Sequence, residues 1–181
     1  MSELDNMQTM QEENALVRIA KGPFSKFKED GLAGILEEIF GRLGVLRRNQ
    51  RVMNIKFHDT MDDYACFQLF QEYEFHVVNA NFIDVDQVLQ ENKFAKEFPL
   101  LMIDTLDAWE KTEYQPMVVT IKLSEVTLED YNKSVERSGE LGYIPVALTE
   151  GVVVFVRHDL ANDAGVKGIN RRNFDIIFYD K

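Results

Sequence analysis

The chain has 181 residues, with 31 acidic against 20 basic and a formal net charge of −11. That balance works against binding to a nucleic-acid backbone, whose affinity comes from Lys and Arg neutralising phosphates. Cys66 is the only cysteine, which excludes an intrachain disulfide and a cysteine-rich zinc site.

Residues 1–22 start acidic and polar, with neither the basic nor the apolar region of a signal peptide. They read as a weakly amphipathic helical arm carrying Met7, Met10, Leu16 and Ile19, ended by Gly22-Pro23. The longest apolar runs are strand-length, so no membrane span is expected. A cytoplasmic protein, or one that enters a virion assembled there, is the resulting expectation.

Residues 23–181 form one domain of a size that buries a core of its own. Leu32, Ile35, Leu36, Ile39, Phe40 and Leu43 recur at helical spacing and predict a helix over 31–43, with Asp30 as N-cap and Gly44 as stop. "RVMNIKF" predicts a strand with Met53, Ile55 and Phe57 on one face and Asn54 and Lys56 on the other. "YACFQLFQEYEFHVVNANF" reads as helix then strand, and "DVDQVLQENKFAKEF" as a short helix stopped before Pro99. Residues 50–95 are a candidate insertion.

"FPLLMID" follows as an apolar strand, "TLDAWEKTEYQ" as a polar connection, and "MVVTIKL" as a strand with Met117, Val119, Ile121 and Leu123 inward. A Thr127 to Asp130 capping pattern opens the next helix and Gly142 closes it. "YIPVALTEGVVVFVRH" reads as a hairpin turning at Thr149-Glu150-Gly151, and "NFDIIFYD" as a closing strand. Five to six strands, mostly joined by hairpins, predict an α+β domain with a mainly antiparallel sheet and helices on one face.

Catalytic signatures are lacking: there is no Walker loop, dinucleotide fingerprint, nucleophile elbow or H-E-x-x-H. Two His-Asp pairs, His58-Asp59 and His158-Asp159, follow predicted strands, where such residues favour turns. With Asp163 they are the candidate metal ligands if their loops meet, although the primary expectation is no metal and no cofactor. The run "YNKSVERSGELGYIPVALTEGVVVFVR" is similar to the end of GNAT-type acyltransferases, but no strand leads into a glycine-rich turn as those enzymes require.

From Phe98 to Lys181 the order of elements resembles the tail-terminator, or tail-completion, proteins of long-tailed bacteriophages. The resemblance lies in "FPLLMID", an acidic excursion, "MVVTIKL", a capped helix, a polar stretch containing "NDAG", and "NFDIIFYD". It implies a non-enzymatic assembly protein that closes into a homo-oligomeric ring and contacts tail or neck proteins. Arg157, Arg171 and Arg172, with Met7 and Met10 of the arm, are then the candidate interface residues. Two other classes stay open: an acidic binder or inhibitor that mimics nucleic-acid charge toward a basic partner, and a small metal-dependent hydrolase. Protein partners are expected in the first two; sequence-specific nucleic-acid contact is not.

Overall fold

A computed structural model describes residues 31–56, 69–81, 84–123, 127–149 and 151–161. Among the described residues six strands form one sheet: β1 (Arg51–Lys56), β2 (His76–Asn81), β3 (Glu97–Ile103), β4 (Gln115–Lys122), β5 (Tyr143–Thr149) and β6 (Val152–Arg157). Their order is β2-β1-β3-β4-β6-β5. The pairs β1–β2, β1–β3 and β3–β4 are parallel, whereas β6 runs antiparallel to both β4 and β5. Only β6 therefore opposes the common direction.

This α+β domain thus has a mixed sheet, which corrects the expectation of a mainly antiparallel one. Among the described residues only β5–β6 is a hairpin, turned at Gly151 with φ of 75°. Local alternation identifies strands but does not say which strands pair. A parallel pair needs a crossover, and here helical segments supply two of them. Residues 50–95 contribute β1 and β2, and β1 lies in the sheet interior between β2 and β3.

Among the described residues, helices α1 (Gly31–Leu43), α2 (Val85–Glu91), α3 (Leu128–Leu141) and the four-residue α4 (His158–Ala161) accompany the sheet, with a helical stretch at 69–72. α1 matches its predicted span and ends at Gly44 in the left-handed region, φ 73°. α2 is capped by Asp84, whose carboxylate accepts the Gln87 N–H at 3.2 Å. In α3, Thr127 Oγ1 accepts the Asp130 N–H at 3.1 Å, and Gly142 terminates the helix at φ 84°.

Helices cover both faces, which corrects the expectation of one. α1 and the helical residues 69–72 pack with Val52, Leu100, Met102, Val118 and Val154 on one side. α2 and α3 pack with Met53, Ile55, Leu101, Val119, Ile121 and Phe155 on the other. Strands buried on both faces read as near-continuous apolar runs, and β3 and β4 do. "MVVTIKL" accordingly buries Val118 and Thr120 as well as Val119 and Ile121.

Tyr73 ties the segment before β2 to α1 by donating its hydroxyl to Glu37 at 2.7 Å. That bond, with some burial and the Glu37 charge, pushes the Tyr73 pKa up to about 12. No helix among the described residues is long and apolar enough to cross a membrane. The N-terminal arm 1–22, Cys66 and the closing strand lie outside the described residues.

Candidate functional site

The path of the chain through the sheet reverses between β1 and β3. From β1 it runs to β2 on one side, then returns past β1 to β3 and on to β4. The two outgoing connections use opposite faces. Leu69 and Phe70, leading into β2, pack on the α1 side; Ala108 and Trp109, after β3, pack on the α2–α3 side. In open α/β sheets the usual ligand position is a crevice beyond the carboxyl ends of two strands that diverge in this way; residues 57–68, which follow β1, lie outside the described residues.

Two consecutive rows of residues lead up to that crevice. On the α2–α3 face the register aligns Ile55, Ile103, Ile121 and Val153, all fully buried and apolar. One position away, on the α1 face, it aligns Asn79, Asn54, Met102, Thr120 and Val154. Asn54 and Thr120 are each 1% exposed, and Asn54 Nδ2 donates to Asn79 Oδ1 at 3.0 Å. Asp104, the residue that follows β3, is 7% exposed.

Burying an amide, a hydroxyl and a carboxylate in a sheet interior costs free energy that hydrogen bonds only partly return. The row on the other face shows that the same backbone accepts apolar side chains throughout. Polar groups are thus concentrated on one face, at one end of the sheet, beside the reversal point. A small acidic cleft of about 110 Å³ opens near the same end, lined by Asp84, Asp86 and Asp107 among others. Its Asp86 accepts a hydrogen bond from the Thr112 hydroxyl.

No glycine occurs between residues 45 and 138, a stretch that holds all four parallel strands β1–β4 and the turns between them. Cradles for pyrophosphate depend on glycine for close backbone approach.

The residues singled out from the sequence lie elsewhere or outside the described residues. Arg157 ends β6 at the opposite end of the strands, beside the starts of β3 and β4. It donates to Glu97 at 2.6 Å, to Asp159 at 2.6 and 3.2 Å, and to the Gln115 carbonyl at 2.8 Å. Burial alone would lower its pKa, but the bonds to Asp159 and Glu97 together hold it above its ordinary value. Its hydrogen bond in turn holds the Asp159 carboxyl below its ordinary range.

His158 is exposed and opens α4, its N–H donating to the Gly142 carbonyl at 2.8 Å. The stretch read as a loop therefore begins with a helical turn. His58, Asp59, Asp163, Arg171, Arg172, Met7 and Met10 lie outside the described residues. Among those described, no group of three His, Cys, Asp or Glu is placed to hold a metal ion.

No family model matches the chain, and no curated protein matches it either. Sequence reading missed Asn54, Thr120 and Asp104 because alternation assigns a polar strand residue to solvent. The signal that could have found them is a lone polar residue in a strand apolar on both faces, as in "MVVTIKL".

Proposed function

We propose that this chain is a ligand-binding α/β domain whose site is the crevice at the carboxyl ends of β1 and β3. The ligand is a small polar molecule bearing hydroxyl or amino groups. The observation that supports it is the polar row on the α1 face, set against the isoleucine row one position away. A carboxylate and two amides recognise hydrogen-bond donors such as hydroxyls, and the glycine-free turns disfavour a di- or triphosphate.

The test is thermal denaturation of the full chain against a panel of nucleosides, sugars, amino acids and nucleoside triphosphates. A ligand at a hundred times its Kd stabilises the folded state by about 2.7 kcal/mol. Asp104→Asn should abolish that gain with the unliganded melting temperature retained. Stabilisation that survives Asp104→Asn places the ligand elsewhere.

The ring-forming assembly reading is a second proposal, favoured by the unlike edges of the sheet. Among the described residues nothing pairs with the outer edge of β2, whose run "HVVNAN" carries no proline and no Asp, Glu, Lys or Arg. The other edge, β5, carries Pro145 at a register shift. A closed ring requires two different matching patches on each subunit, and two such edges supply candidates. Light scattering over a concentration series decides it: a closed oligomer lost in Val78→Lys supports the ring, and a strict monomer at all concentrations counts against it.

A further inference from the structure

A second cleft, of about 470 Å³, opens at the far edge of the sheet, where β4 and β5 begin and β6 ends. Its volume lies within the range of small-molecule sites. The back wall is aromatic. Trp109 packs edge-on to Tyr143 with ring centroids 5.4 Å apart, and against Phe155 at 4.9 Å.

Hydrogen bonds fix that wall in place. Tyr143 donates its hydroxyl to the Pro116 carbonyl at 2.6 Å, and Arg137 donates to the Trp109 carbonyl at 2.7 Å. A preformed wall spares a ligand the cost of ordering it.

Charge then selects the ligand. Arg157, one of two cations lining the cleft with Lys111, already serves two carboxylates and a carbonyl, so little of it is left for an anion. Glu110 and Glu140 stand exposed at the rim. Glu140 meets Arg137 only at 3.7 Å. The lining itself carries three carboxylates, Glu110, Glu140 and Asp159, against Lys111 and Arg157. An apolar, aromatic interior beneath a net acidic rim suits a cation with an apolar body.

We propose that this cleft binds a small organic cation, a protonated alkylamine that bears an aromatic ring. It lies where β4 and β5 begin, away from the carboxyl ends of β1 and β3, and shares Glu110, Lys111 and Thr112 with the small acidic cleft.

Trp109 is the only tryptophan in the chain and lines this cleft, so its fluorescence reports on occupancy here. The full chain is titrated at neutral pH with phenethylamine and, separately, with phenylacetate, which carries a similar ring and the opposite charge. The expected result is a saturable change with the amine and at least about tenfold weaker binding of the carboxylate. Glu110→Lys with Glu140→Lys, both exposed and remote from the core, should weaken the amine several-fold. If that variant is unstable, Glu110→Gln with Glu140→Gln should act in the same direction. Equal affinity for the two compounds, a linear unsaturable response, or amine binding unchanged by the substitutions would each overturn the proposal.

Discussion

Two neighbouring rows of one sheet differ in what they bury, and the difference separates folding from function. Ile55, Ile103, Ile121 and Val153 fill the α2–α3 face with methyl groups. Asn54 and Thr120, one position away, place an amide and a hydroxyl in an equally buried layer. Both rows share backbone geometry, register and strand direction. Backbone demands therefore do not explain the polar row. Such departures from local rules concentrate at functional sites, where stability is given up for recognition.

The sharpest way to break this contrast is to exchange the chemistry of the rows. Ile121→Asn removes a fully buried apolar side chain and leaves an amide among aliphatic neighbours. The loss of packing and the desolvation of the amide add up to about 4 kcal/mol or more. Chemical denaturation should show the variant unfolded or nearly so. A cost below about 1 kcal/mol would mean that the isoleucine row is as tolerant as the polar one, and the contrast would fail.

The far edge of the sheet offers a second contrast, because its charges are spent on holding strands together. Arg157 links the end of β6 to β3 through Glu97, to β4 through the Gln115 carbonyl, and to α4 through Asp159. Its side chain is 11% exposed, but Glu97 and Asp159 are more than half exposed and regain water when it is lost. Arg157→Met should therefore cost about 1–2 kcal/mol, less than breaking a fully buried pair.

The pH dependence of that cost has a definite sign. The folded-state pKa of Asp159 lies below its ordinary value of 3.8, so its share of stability is present at neutral pH. It is lost as the pH falls through the folded value. Denaturation midpoints of the parent and Arg157→Met should converge in acid; a gap that widens there would mean that Asp159 is not the partner that matters.

Elements whose cause is local were legible in the sequence, and those set by distant pairing were not. α1 follows from six apolar positions at helical spacing, and the β5–β6 hairpin from a turn at Gly151. α3 follows from Thr127 and Gly142, and Thr127→Ala should cost about 1 kcal/mol in a melting experiment through the lost cap. The parallel pairing of β1 with β2 and β3 depends on crossovers, and no periodicity encodes their direction. The candidate site was hidden for the same reason. "RVMNIKF" alternates as a half-exposed strand would, so Asn54 reads as a solvent residue until β2 and β3 flank it and α1 covers its face.

The smallest expected change in stability carries the most information. Asn54→Leu keeps the branched shape of the side chain and removes the bond to Asn79, which is exposed and can turn its amide to water. Replacing a buried hydrogen-bonding group by an apolar one of similar shape is often near neutral when its partner is not left buried. The free protein should shift by no more than about 1 kcal/mol in either direction, with slight stabilisation allowed. If Asn54 is retained for a ligand at the β1–β3 crevice, ligand-induced stabilisation should vanish in this variant although the fold persists. A large loss of stability would instead make Asn54 a structural link between β1 and β2. The polar row would then belong with Arg157, among the groups that hold strands together.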